Sequence, residues 1–135
     1  MTISVLVEKG KTMRDRKVNI LGTTYTVTVK KYDEEEAFER HSIAGFCDSY
    51  AKKIVLCDMH TYKGWENEEE ETIAAAQKQT LRHEIVHAFF NESGLTESSS
   101  VLEQPWARNE EMVEWFAIQG EKIYAVWKEV GAIDD

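Results

Sequence analysis

From Asn67 to Glu92 the chain has neither glycine nor proline, and most of its residues are strong helix formers. An uninterrupted stretch of this kind predicts one long helix, and a long helix dictates what the rest of a short chain must pack against. Its acidic beginning, Glu66 to Glu71, complements the positive end of a helix dipole and reads as a solvated first turn. Gly94 is placed to end the helix as a C-terminal cap.

Near the end of this helix stands His83-Glu84-Ile85-Val86-His87. Residues four apart lie on one face of an α-helix, so His83 and His87 can aim their imidazoles at one ion, with Glu84 beside them. Zinc hydrolases use this spacing: two neutral imidazoles hold the metal while the adjacent carboxylate takes a proton from water. The bland alternative is a pair of ordinary histidines on an amphipathic helix with a solvated glutamate. Against it, Leu81, Ile85, Val86, Phe89 and Phe90 flank the motif and predict a substantially buried helix, where unpaired polar groups are costly. Two of the chain's four histidines occupy the motif.

A catalytic zinc takes three protein ligands and leaves a fourth position open, so a further donor is needed. Asn109-Glu110-Glu111-Met112-Val113-Glu114 offers it from a second helix. Glu110 and Glu114 share a face, which suits Glu110 as ligand and Glu114 as the carboxylate that orients a ligating histidine. Glu111 is the competitor, since a small rotation of the helix presents it instead.

With 135 residues, 42% of them hydrophobic, the chain suits one domain over residues 1–135. A formal charge of −9, from 25 acidic against 16 basic side chains, repels phosphate backbones and argues against a nucleic-acid partner. No apolar run is long enough to span a membrane. The first residues lack the pattern of a secretion signal, and Cys47 and Cys57 are too few for a disulfide framework. Cytoplasmic residence, with both cysteines as buried free thiols, is the natural expectation.

Val18 to Val29 reads as two strands joined at Gly22-Thr23-Thr24. Asp33 to His41 reads as a short helix capped by Asp33. Ile43 to Cys47 and Lys53 to Cys57 read as a second hairpin. Thr96 to Gln104 is polar and reads as a loop, with Pro105 opening a final helix that runs to about Val130. The spacing of Phe116, Tyr124 and Trp127 on that helix is that of a core-facing stripe. His41, His60, Tyr50 and Tyr62 are open candidates for a group that stabilises a transition state.

Leu81-Arg82-His83-Glu84-Ile85-Val86-His87-Ala88, followed by Asn109-Glu110 through Trp115-Phe116-Ala117, resembles the ImmA/IrrE-type metallopeptidases of bacteria and phages, within the gluzincin class. In that class the third ligand is a glutamate four residues before an acidic partner; Glu110 and Glu114 match, with Glu in place of the more usual Asp. The resemblance implies an α+β fold of zincin type, in which a small antiparallel or mixed sheet packs on the metal-binding helix and a C-terminal helix follows. It also implies a sheet edge near the metal that holds substrate as an added strand, for which Ile54 to Cys57 is the candidate. The implied activity is zinc-dependent hydrolysis of a protein or peptide, with His83, His87 and Glu110 on Zn2+, Glu84 as general base, and a repressor-like phage or mobile-element regulator as partner. The alternative from another class is a non-catalytic zinc-binding regulator that docks a partner protein.

Overall fold

The computed structural model describes residues 13–98, 109–130 and 132–133. It is an α+β arrangement built on a mixed sheet of four strands in the order β1-β2-β4-β3. Strands β1 (Arg16–Ile20) and β2 (Thr23–Lys30) form an antiparallel hairpin. Its turn is Leu21-Gly22, one step earlier than expected, because both residues take positive φ (50° and 93°) and so match the right-handed twist of the flanking strands. Asn19 locks the turn by accepting the Gly22 N–H through its side chain at 2.8 Å.

After β2 a single 3-10 turn, Tyr32–Glu34, leads into the short helix α1 (Glu36–Arg40). Its cap is Glu35 and not Asp33. Glu35 is extended and its carboxylate accepts the Ala37 N–H, whereas Asp33 is already inside the 3-10 turn. Strands β3 (Gly45–Asp48) and β4 (Lys53–Cys57) form the expected antiparallel hairpin, and β4 then lies parallel to β2.

This topology overturns one expectation. Ile54 to Cys57 is not an edge, for β4 sits between β2 and β3. Ile54 and Leu56 enter one core cluster with Tyr25 and Val27, while Val55 and Cys57 enter another with Phe38 and Ile73. A strand buried on both faces is apolar without alternation, as Ile54-Val55-Leu56 is. The outer edge on this side of the sheet belongs to β3.

The long helix α2 (Glu70–Glu92) packs on the sheet through Ala88, Leu81 and Ile85. Gln77, buried within it, donates to the Cys57 carbonyl at 2.7 Å and accepts the Met59 N–H at 3.1 Å, tying the end of β4 to the helix. Ser93 caps α2 and Gly94 follows at φ 80°, the left-handed position that favours glycine. The start of the predicted loop, Thr96 to Ser98, belongs instead to a short helix, α3 (Leu95–Ser98); Gln104, Pro105 and Trp106 lie outside the described residues.

The last helix, α4 (Glu110–Glu129), starts at Asn109, whose side chain accepts the Met112 N–H at 2.8 Å. It packs on α2 through Val113 and Ala117, and Arg82 donates to the Ala117 carbonyl at 2.8 Å. Phe116 touches α2 only at the border of this face, edge to face on Phe90 at 6.3 Å, and the aromatic stripe does not enter the core as expected: Phe116, Tyr124 and Trp127 are 42%, 52% and 50% exposed. Phe89 on α2 is exposed as well, so the motif helix is less enclosed than its flanking residues suggest. Among the described residues no helix is long and apolar enough to cross a membrane.

Candidate metal centre

Helix α2 presents His83, Glu84 and His87 on adjoining turns, and their ligand atoms all lie within 4.8 Å of one another. The two imidazoles meet edge to face at 5.0 Å. Because α4 crosses α2 here, its first turn delivers Glu110 onto both rings. One oxygen, Glu110 Oε1, lies 2.9 Å from His83 Nε2 and 2.9 Å from His87 Nε2. One turn on, Glu114 Oε1 stands 3.4 Å from the other ring nitrogen of His83, Nδ1, and accepts from Gln79 Nε2. Glu111 is exposed and is not brought to the histidines.

Electrostatics follow from these contacts. Burial alone would lower the His83 pKa, but the charge of Glu84 and the hydrogen bonds to Glu110 and Glu114 raise it. Burial would raise that of Glu110; its bonds to His87 and His83 outweigh this and lower it. Glu84 is different. It is buried (6% exposed), and no hydrogen bond to its carboxylate is found among the described residues. Desolvation pushes its pKa up to about 7; His83 opposes the shift, and the charges of Glu110 and Glu114 add to it. A carboxyl group held there exchanges a proton readily near neutrality.

The donor set fits zinc in kind, with two imidazole nitrogens and a carboxylate oxygen. Zinc holds such ligands at about 2.0–2.2 Å, which puts neighbouring atoms of a tetrahedron about 3.3–3.5 Å apart. The 2.9 Å contacts would therefore open by about half an ångström. Glu110 can give that room, because its side chain is 72% exposed. A metal needs the lone pair of each ligating Nε2, so protons compete with it for these atoms and binding must weaken in acid.

The site lies in a groove of about 1100 Å³ between α2 and the edge strand β3. Thr80, His83, Glu84, His87 and Asn91 form one wall; Gly45 through Tyr50 form the other. The two walls are drawn together at Gly45. A Cβ there would come within 3.0 Å of both Thr80 Cγ2 and the Val55 carbonyl oxygen, so only glycine allows this approach without a shift. Asn91 reaches Cys47 at the far end.

The remaining candidates separate cleanly. Tyr50 lines the groove mouth, 93% exposed. His60 lies elsewhere, with Nδ1 on Asp58 at 2.7 Å and Nε2 on Glu70 at 2.9 Å, so Glu70 of the acidic run holds a partner and is not merely solvated. Tyr62 packs edge-on against Tyr32 at 5.0 Å, and His41 caps α1. Both cysteines are free; Cys57 is buried and Cys47 half-buried in the groove wall, and burial pushes their thiols up to about 11 and about 12. Sequence reasoning missed Asn91, Gln79 and the β3 wall. A glycine inside a strand pattern, Gly45, was the signal for the last. No family model, no characterised protein and no solved structure matches this chain.

Proposed function

We propose that this chain is a zinc-dependent metallopeptidase with zincin-like packing, in which His83, His87 and Glu110 hold the metal. The observation that carries the reading is the single Glu110 oxygen placed 2.9 Å from both Nε2 atoms, beside a buried carboxylate in an open groove. Zinc, when bound, acts as a Lewis acid that polarises a carbonyl and makes water acidic near neutrality.

The other roles belong to the chain itself. Glu114 holds His83 by Nδ1 and so leaves Nε2 directed to the ligand position. Glu84, buried beside the two histidines, takes a proton from the attacking water and returns it to the leaving amine. The edge of β3, unpaired among the described residues, offers backbone groups to an extended peptide, which would lie in the groove as an added strand. By the family resemblance, the substrate is a protein, with a repressor-like regulator of a phage or mobile element as the leading class.

The test is Glu84→Gln, which preserves size and removes the proton carrier. It should bind zinc stoichiometrically and cleave a mixture of unstructured peptides about 10²–10⁴-fold more slowly than wild type. A variant that retains full cleavage refutes the role of Glu84. If wild type binds zinc and a partner but cleaves nothing, the chain is instead a docking module.

A further inference from the structure

Helix α4 packs on α2 mainly through one face, and Phe116, at the border of a second, reaches Phe90 of α2 edge to face at 6.3 Å. Val113 and Ala117 face α2; about 120° around the helix lies a second stripe of Met112, Phe116, Gln119, Ile123, Val126 and Val130. Its spacing alternates four and three residues, the repeat of a two-helix seam. Phe116, Val126 and Val130 are 42%, 55% and 69% exposed, and Trp127 beside them is 50% exposed. From Glu121 to Val130 every residue is exposed except the half-buried Ile123, so the last turns stand clear of the described body. A helical end this short is marginal in water without a surface to pack on.

We propose that this stripe is where a second copy of the chain docks, the two α4 helices pairing antiparallel about a two-fold axis. Charge points to a second copy as the occupant. The chain as a whole carries −9, which drives copies apart, yet Glu121, Lys122, Lys128 and Glu129 leave this segment with two charges of each sign. Lys122 and Glu129 lie one heptad apart on the same flank of the stripe, and in an antiparallel seam each flank faces its own copy.

The register that sets Ile123 against Val126 of the second copy, and Gln119 against its Val130, also sets Lys122 against its Glu129. Two-fold symmetry then makes that ion pair twice. One register satisfies the Ile123–Val126 layers and the charges together, with Gln119 in the flanking layers, and that is the form of self-complementarity that a two-fold interface requires. The proposal does not depend on the peptidase reading.

The seam is small, so the dimer should form with micromolar affinity and depend on concentration. Sedimentation velocity of the full chain across the micromolar range should show monomer passing to dimer. Val126→Glu should abolish dimerisation, with circular dichroism unchanged for the body. Lys122→Glu should weaken it about tenfold or more, and the double reversal Lys122→Glu with Glu129→Lys should restore it. A chain that stays monomeric throughout, a dimer indifferent to Val126→Glu, or a double reversal no better than the single would each overturn the proposal.

Discussion

Gly45→Ala tests whether the groove is set by the close approach of β3 to α2. The added Cβ would meet Thr80 Cγ2 and the Val55 carbonyl oxygen at 3.0 Å, and Leu56 Cδ2 at 3.1 Å. Leu56 can turn aside, but the Val55 oxygen belongs to the backbone of the central strand β4 and cannot. Thr80 is held as well, since its hydroxyl donates to the Ala76 carbonyl at 2.9 Å. The strand and helix must therefore part by a few tenths of an ångström. Overpacking of this kind destabilises by about 1–3 kcal/mol. Removing a glycine from the unfolded chain recovers about 0.4–1 kcal/mol. The net expectation is a loss of about 1–2 kcal/mol, or roughly 3–8 °C in Tm. Urea unfolding followed by circular dichroism measures it. In a Thr80→Ser background, which lacks Cγ2, the loss should shrink without vanishing, because the Val55 oxygen remains. Should Gly45→Ala prove neutral or stabilising, the claim that glycine sets the width of the groove is wrong.

Metal analysis of three variants separates the carboxylates: Glu110→Ala should lose stoichiometric zinc, Glu114→Ala should bind it about 10–100-fold more weakly, and Glu111→Ala should match wild type. Full zinc in Glu110→Ala would remove the proposed third ligand. A separate prediction concerns acid stability. Glu92 accepts both the Tyr25 hydroxyl and the Lys52 ammonium at 2.6 Å, and its pKa is lowered to about 2, first by the Lys52 bond and then by the Tyr25 bond. A lowered folded pKa stabilises fully above the ordinary value of 4.5, and that contribution is lost as pH falls from there towards about 2. Unfolding measured against pH should therefore show a shallower acid decline in Glu92→Gln than in wild type over that window; equal slopes would contradict the assignment.

Much of this molecule can be read from residue order, and particular residues show where reading stops. The hairpins, the long helix and its end at Gly94 are local matters of propensity, turn chemistry and capping, and they stand close to where the pattern puts them. The displaced cap at Glu35 and the turn at Leu21-Gly22 are shifts of one or two residues among nearly equivalent local choices. Strand order is another matter. Which of β3 and β4 lies at the edge depends on β4 pairing with β2 across a connection that includes α1, and no periodicity within either strand encodes it.

The same division runs through the candidate site. Helical geometry alone brings His83, Glu84 and His87 together, because four residues make about one turn. Sequence therefore determined the α+β class, the long helix and the grouping of that triplet on one helix. Only the crossing of α4 over α2 singled out Glu110 in place of Glu111, since the rotation of one helix against another depends on which side chains interlock, here Val113, Ala117 and Arg82. Only tertiary packing set β3 opposite the histidines, buried Glu84 to raise its pKa, and left Val126 and Val130 of α4 facing solvent. These are all long-range consequences: they depend on surfaces far apart in the chain meeting in one arrangement, and no local stretch of sequence carries that information.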